Sequence, residues 1–451
     1  MSKQIKIGVV GCGYWGPNLI RNYRSLPDCH LKLICDVSPT RLAHMKKLYP
    51  EVRGTTDYAH LLNGAGLDAV VIATSVHMHY PMAKASLLAG KHTFIEKPMA
   101  ASSAQCSELI DLARKKGLVL MIGHTFLYSP AVRKIKEIVD QGDIGEIRYL
   151  CARRLNLGLF QKDINVAWDL APHDLSIVLH IMGENPETVN CRGSAHITPG
   201  VEDVATMCLG FQKQRSAIIQ SSWLDPRKVR EMTIVGSKRM IVYDDVATLE
   251  KIRIYDARVE RPPHYDTFAE FHYAYHYGDM YCPHIKQDEP LKTECQHFVD
   301  CIQQGTEPLT SGEKGLAVVK ILEASSQSVK QEEPLKTECQ HFLDCIQQGT
   351  VPLTDGRKGM NLVRILEASS ESLKLGGAAV QLENPPNGDD HAAMPARIVR
   401  PSAIAINRIR NGNGNGNGNG NGNGNGNGKV ALHRSKAKIK VKLGPNGIAI
   451  S

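Results

Sequence analysis

The sequence predicts an α/β protein, a doubly wound parallel sheet followed by an α+β domain with a largely antiparallel open sheet. Two observations carry this. Over roughly the first 125 residues, short apolar runs (IKIGVV, LKLICD, AVVIAT, HTFIE, LVLMIG) alternate with helix-like stretches such as SPTRLAHMKKLY and SSAQCSELIDLARKKG. The runs are apolar almost throughout, as strands buried on both faces are, and strand alternating with helix implies parallel pairing. From about Ser129 the pattern changes. One helix (PAVRKIKEIVDQG) and the strand-like EIRYLCARR lead to a short helix, APHDLSIVLHIMG. The β-rich runs TVNCRGSAHI, VATMCLGF, SAIIQSSWL, REMTIVG and RMIVYD then follow without helices between them, which favours antiparallel pairing.

Within the first region, Ser38 and Ser102 are expected helix N-caps and Gly90 and Gly117 helix stops. Composition agrees with a soluble globular enzyme, at 42% apolar and 22% charged residues. No apolar run reaches the length of about 20 residues that a membrane helix needs, and the N-terminus runs straight into a strand, so no signal peptide is expected. The twelve cysteines are scattered and read as reduced thiols in a cytoplasmic protein. The net charge of +8 is misleading as a sign of nucleic-acid binding. The segment from Gly376 onward holds ten Lys or Arg and three acids, hence +7, which leaves the body near neutral.

The chain also repeats itself. Residues 289–330 recur from Glu333 with a period of 44, a tandem duplication of a two-helix unit with too few copies for a solenoid. Beyond Gly376, nine Asn-Gly pairs span Asn411 to Gly428, a composition expected to be disordered. The predicted organisation is therefore 1–126, the doubly wound domain; 127–331, the α+β domain; 332–375, the duplicate; and 376–451, the basic tail.

Four elements carry chemistry. VVGCGYWG places Gly11, Gly13 and Gly16 in G-x-G-x-x-G spacing between a strand and a helix. Gly11 serves the tight turn, Gly13 the approach of a pyrophosphate, and Gly16 close helix–strand packing. Asp36 ends the next strand, where a carboxylate accepts bonds from the adenosine ribose and repels a 2′-phosphate. NAD is thus the expected cofactor, although Arg41 nearby could accommodate a phosphate. The third element is Glu96-Lys97-Pro98, at the carboxyl end of a predicted strand. By spacing alone Lys97 could equally be a surface residue. The fourth is WDLAPHDLS. Pro172 reads as the first helical position, which puts His173 in the first turn, where the helix dipole disfavours imidazolium, and Asp169 just before the helix. A neutral His can accept the proton of a substrate hydroxyl; a His satisfied by local backbone is the plainer alternative.

With these elements in this order, the chain resembles the glucose–fructose oxidoreductase, inositol dehydrogenase and rhizopine catabolism family (Gfo/Idh/MocA) over about residues 3–330. The resemblance implies NAD-dependent hydride transfer at a secondary hydroxyl or ketone of a sugar. It implies Lys97 and His173 beside nicotinamide and substrate, with Asp169 assisting. The cofactor would be lined by Gly11, Gly13, Tyr14, Trp15, Gly16, Asp36, Arg41, Thr74, Ser75, His79, Glu96, Lys97 and Thr125, and the substrate by Lys97, Tyr128, Arg154, Asn156 and His173. It further implies a homo-oligomer, dimer or tetramer, built through the open sheet.

Thr125-Phe126 stands where many members have Asn-Arg, and Ser176 where many have an acid. Stretches such as RRLNLGLFQKD and SWLDPRKVREMTIVGSKRM are similar to a subgroup of nucleotide-sugar 3-dehydrogenases of the UDP-N-acetylglucosaminuronate type, active in polysaccharide biosynthesis. Arg153, Arg154, Lys228 and Arg230 would suit an anionic substrate. A keto-sugar reductase of deoxysugar or antibiotic pathways and a non-catalytic NAD-binding module are the alternatives. No metal is expected: Cys295, His297 and Cys301, with their repeats Cys339, His341 and Cys345, match no zinc spacing.

Overall fold

A computed structural model of the chain describes residues 4–331 except 65, 162–163 and 261–273. It also describes 341–374 except 347, 353 and 355, residue 380, and the pairs 443–444 and 447–448. Six strands form the first sheet: β1 (Ile5–Val10), β2 (Cys29–Cys35), β3 (Arg53–Thr55), β4 (Ala69–Ile72), β5 (His92–Glu96) and β6 (Leu120–Gly123). They pair in parallel in the order β3-β2-β1-β4-β5-β6. This is the doubly wound order whose reversal between β1 and β4 opens a crevice at the carboxyl strand ends. The crossover helices are α1 (Gly16–Ser25), α2 (Pro39–Leu48), α3 (Val76–Leu88) and α4 (Ser103–Lys116). The expected caps are present. Ser38 and Ser102 accept from the backbone N–H of Arg41 and Gln105, Gly117 closes α4 at φ +64°, and Gly90 follows α3 at φ +72°.

After a 3₁₀ turn (Thr125–Tyr128) and α5 (Pro130–Asp140), the second sheet begins with β7 (Ile147–Leu157) and is interrupted by α6 (Val166–Met182). It continues with β8 (Thr188–Ser194), β9 (Val204–Gly210), β10 (Ser216–Ser222), β11 (Leu224–Gly236), β12 (Met240–Asp244), β13 (Ile252–Glu260) and β14 (Ala274–Tyr281). The order is β14-β13-β12-β11-β7-β10-β9-β8, antiparallel except for the parallel pair β7–β10. Neither of the last two strands was among the expected ones: β13 alternates only over its first residues, where Ile252 and Ile254 are buried, and β14 is exposed along nearly its whole length. One face packs on α6 through Leu150, Ala152, Ala217, Ile219, Met232 and Ile234.

The first copy of the repeat folds as α7 (Pro290–Gln304) and α8 (Gly312–Gln331). The two helices serve different layers. Leu291, Cys295, Phe298 and Val299 of α7 join the core of the first sheet, where the Phe298 ring meets Phe94 edge-on at 5.7 Å. Ile321 and Leu322 of α8 join the second core, while Val319 faces the first. In the second copy Phe342 and Ile346, counterparts of Phe298 and Ile302, are exposed. The chain divides into two units, 1–350 and 351–451. In the second unit, helix Gly356–Lys374 exposes Leu362, Val363, Ile365 and Leu366, and Leu443–Gly444 pairs antiparallel with Gly447–Ile448. The rest of the tail, where disorder is expected, lies outside the described residues.

Candidate active site

The glycine loop leaves β1 toward α1, and two of its glycines are demanded by contact. Gly11 has φ +97°, and a Cβ there would lie 2.3 Å from the Ala73 carbonyl oxygen; one on Gly16 would lie 1.9 Å from the Gly11 oxygen. Gly13 differs. Nothing but Arg41 Nη1, at 3.9 Å, approaches its Cβ position, so glycine there keeps open the concavity that a pyrophosphate needs at a helix N-terminus. Asp36 is buried at the end of β2. Its Oδ2 accepts from Cys12 N (2.6 Å) and its Oδ1 from Ser38 N (2.8 Å), with Arg41 Nη1 3.8 Å from Oδ2. The carboxylate therefore shapes the loop and stands at the ribose position with lone pairs to spare. Burial beside Asp36 pushes the Cys12 thiol up to about 12, so it is a packing residue rather than a redox group. Tyr14 is largely exposed and Trp15 donates from Nε1 to Glu96 Oε1 at 2.8 Å, tying the loop to the strand end that carries Lys97. These residues fit NAD. Asp36→Ala is expected to narrow an NAD-over-NADP preference of about tenfold or more, read by titrating both cofactors. Equal affinities in the unmodified protein would contradict the assignment.

Lys97 follows β5, and its peptide bond to Pro98 is cis. Its Nζ donates to the Asp169 carbonyl at 2.7 Å and lies 3.3 Å from Asp169 Oδ1, while Asp169 Oδ2 accepts from Trp223 Nε1 at 3.2 Å. Here the structure corrects the sequence reading. Helix α6 starts at Val166, with Asn165 as N-cap accepting from Trp168 N, and Pro172 lies inside it. Asp169 is thus in the first turn and His173 one turn further on. The i, i+4 spacing sets both side chains on one face, the face that meets Lys97. The helix dipole is not what keeps His173 neutral, because its effect fades after the first turn. Burial does so first, then the positive charges of Lys97, Arg154 and Arg230, and together they hold the imidazole well below its usual range. An ammonium group, a carboxylate and a neutral imidazole thus converge at the carboxyl edge of the first sheet.

Residues 5–124 match the oxidoreductase family with an NAD-binding Rossmann fold, and residues 132–242 match the GFO/IDH/MocA C-terminal domain. The chain belongs to the Gfo/Idh/MocA family of NAD-binding oxidoreductases. It is similar to the uncharacterized oxidoreductase YrbE of Bacillus subtilis, 27% identical over 345 residues, which are 73% of this chain and 95% of that one. It is equally similar to the myo-inositol 2-dehydrogenase of Thermotoga maritima, 27% identical over 339 residues, 72% and 96% of the two chains. The solved UDP-N-acetylglucosamine 3-dehydrogenase of Acidithiobacillus ferrooxidans superposes with a TM-score of 0.60 at 26% identity, over 73% of this chain and 98% of that one.

In this Gfo/Idh/MocA chain several expected site residues have other tasks. Both ring nitrogens of His79 lie against carbonyls, Nδ1 2.8 Å from Pro98 O and Nε2 3.0 Å from Thr74 O, so it braces the loops after β4 and β5 from within. Thr74 and Ser75 remain at the strand edge. Tyr128 is buried against Thr310, its hydroxyl 3.2 Å from Oγ1, and does not line the cleft. Arg154 is buried and held by Asp174 through two bonds of 2.7 and 2.8 Å, so it is not open to a substrate anion. Arg153 is on the opposite, open face of β7, near Glu231. Asn156 shares the inner face with Arg154. Arg230 reaches Asp245 at 3.3 Å and lies over the Phe126 ring, and Lys228 is exposed. Among the described residues no group of His, Cys, Asp or Glu is arranged to hold a metal ion, and no helix is long and apolar enough to cross a membrane.

Sequence reasoning missed Glu294. It arrives from α7, where Thr125 donates to its Oε2 at 2.7 Å, and burial plus the nearby Glu96 carboxyl raise it well above the usual carboxylate range. Burial likewise pushes Glu96 up to about 7. A carboxyl whose folded value is raised above its unfolded one of about 4.5 costs no stability below pH 4.5; the cost grows as pH rises toward 7 and is complete above it. Glu96→Gln removes that cost. Its unfolding free energy relative to the unmodified protein is expected to be higher at pH 8 than at pH 5 by up to about 3 kcal/mol, measured by urea denaturation without NAD. An identical difference at both values would disprove a protonated Glu96.

Proposed function

We propose that the chain is a sugar dehydrogenase, moving hydride between a secondary hydroxyl carbon of a sugar and NAD. The Lys97–Asp169–His173 arrangement carries this reading, since a purely cofactor-binding module has no need of a neutral imidazole beside an ammonium group. NAD, when bound, supplies the hydride acceptor. Nε2 of His173 takes the hydroxyl proton, because Nδ1 is shielded inside the protein. Lys97 stabilises the developing alkoxide by charge and a hydrogen bond. Asp169 holds Lys97 in place and lowers the cost of its charge, and Trp223 fixes Asp169 in turn.

A nucleotide sugar, of the UDP-N-acetylhexosaminuronate kind, is the substrate class we favour. The likeness to the A. ferrooxidans enzyme over nearly its whole length supports it. Of the four basic residues that suggested an acidic substrate, Lys228 is exposed, and Arg230 lies over the Phe126 ring, which packs against His173, while paired with Asp245. The open face of the second sheet, which exposes Tyr149, Ile218 and Tyr277, suits pairing with a second copy. The test is NADH formation across a panel of UDP-sugars, UDP-uronates, free inositol and glucose. An acidic UDP-sugar should be turned over best, with an affinity that falls as salt is added. Robust turnover of inositol with none of any nucleotide sugar would reverse the substrate assignment.

A further inference from the structure

Arg230 enters the site from the second sheet, and the reaction above leaves its charge unused. Strands β11 and β7 pair so that Arg230 stands directly opposite Arg154, on the face where Met232 and Ile234 join Leu150 and Ala152 in the core. Both guanidiniums lie over the Phe126 ring, Arg154 at 4.6 Å and Arg230 at 5.7 Å from its centre. The same ring meets the His173 imidazole at 5.1 Å, with the two planes 70° apart. One phenyl ring therefore touches both guanidiniums and the proposed base. The Arg230 charge is near enough to help hold that base neutral.

The two arginines differ in how their charge is met. Asp174 grips Arg154 through two bonds, and both side chains are only 5% exposed. Asp245 meets Arg230 at Nη1, at 3.3 Å, and the Arg230 side chain keeps 35% of its surface open. A single, partly exposed ion pair of that length contributes little to stability, and it leaves most of the guanidinium's N–H donors to other acceptors. Asp245 has further partners as well. The Tyr243 hydroxyl donates to its Oδ1 at 3.1 Å, and Lys251 Nζ lies 3.9 Å from the same oxygen. One carboxylate thus serves two cations, and it stays satisfied when Arg230 turns to another anion. Because Arg230 is on the face that packs against α6, its open surface is on the side of His173. The opposite face is the one where Arg153 meets Glu231.

We propose that Arg230 is the specificity-determining residue of the substrate site, a guanidinium seated on Phe126 that exchanges Asp245 for an oxyanion of the substrate. The proposal rests on His173 as proton acceptor and deepens the nucleotide-sugar reading. With the reacting hydroxyl at Nε2 of His173, Arg230 stands one phenyl ring away, a separation comparable to the width of a hexose. An anionic group across the sugar ring from the reacting carbon therefore reaches it. Two groups of that chemistry are available, a carboxylate on the sugar and the phosphate on its anomeric oxygen. Either accepts two parallel N–H bonds from the planar guanidinium, which a lysine cannot offer. The attraction between cation and ring holds the guanidinium over Phe126 while its edge changes partner. Arg154, locked to Asp174, cannot make this exchange.

The test is calorimetric binding to the full chain loaded with NADH, where an alcohol ligand has no hydride acceptor and affinity is read without turnover. The ligands are UDP-N-acetylglucosamine, its uronate, UDP and free glucuronate. The proteins are the unmodified chain, Arg230→Met, Arg230→Lys and Asp245→Asn. Arg230→Met should weaken the best anionic ligand on the order of tenfold or more and flatten its salt dependence, and Arg230→Lys should recover part of the loss. Asp245→Asn should bind that ligand severalfold more tightly, because the competing carboxylate is gone. An ion pair that is only structural would weaken binding in both variants. A loss confined to the uronate and glucuronate identifies the sugar carboxylate as the anion, and a loss shared by both UDP-sugars and UDP identifies the phosphate; either supports the assignment. If no anionic ligand binds Arg230→Met more weakly than the unmodified protein, the assignment is overturned. Weaker binding by Asp245→Asn overturns it too. Loss of glucuronate by Arg230→Met, with no UDP ligand bound by any of the proteins, would defeat the nucleotide-sugar reading and leave the role of Arg230 standing.

Discussion

His173→Asn should lower turnover on the order of a hundredfold or more while leaving NAD affinity nearly unchanged, because the residue faces substrate rather than the glycine loop. Lys97→Met should cost a similar factor through the lost alkoxide stabilisation. The structure adds a pH signature. A free histidine titrates near 6.5, and a dehydrogenase relying on one loses activity as pH falls through that value. His173 is held well below it by burial and three cations. The acid limb of the pH–rate profile should therefore lie well below the ordinary histidine value and vanish in His173→Asn. Steady-state kinetics on the substrate identified by the sugar panel, with cofactor titration of the same samples, measures both effects. Near-full turnover by His173→Asn would place the proton acceptor elsewhere.

Asp174→Ala should be among the most destabilising single substitutions in the second domain, by about 3–5 kcal/mol. Arg154 and Asp174 are each only 4% exposed and are joined by two short bonds, with the guanidinium 4.6 Å from the centre of the Phe126 ring. Removing the carboxylate leaves a buried cation without its counter-charge. Replacing both partners with apolar residues, Arg154→Met with Asp174→Leu, removes the same ion pair without stranding a charge, and should cost far less. Urea denaturation of the three proteins separates the cases. If Asp174→Ala lost under 1 kcal/mol, Arg154 would have another anion to turn to, and its suitability for an anionic substrate would be revived.

The doubly wound parallel sheet and the glycine loop were legible in the sequence, because strand–helix alternation and loop spacing are local patterns; the order of the strands and the short β3 were decided by tertiary pairing. Gly16 is forced by contact within one strand–loop–helix unit, whereas Gly11 is forced by the Ala73 carbonyl beyond β4; Asp36 follows at the end of the next strand, and Glu96 and Lys97 at the end of β5, where spacing alone left Lys97 between cleft and surface. The D-x-x-x-H spacing likewise fixed that Asp169 and His173 share a helix face once a helix runs through both. Where that helix begins was decided by Asn165 and by packing of Val166 and Ala167 in the core, against the local preference of Pro172 for a first turn. Adjacent residues Arg153 and Arg154 look alike in sequence, yet they point to opposite faces of β7, and only the packing of α6 determines which face is inside. Asp174 then claims Arg154. Glu294 reaches Thr125 across 169 residues and His124 meets the cleft formed by α6 and α8, contacts with no local signature. The local chain determined the chemistry available at the strand ends, and tertiary burial decided which charges are paired, which imidazole stays neutral and which residues face the substrate.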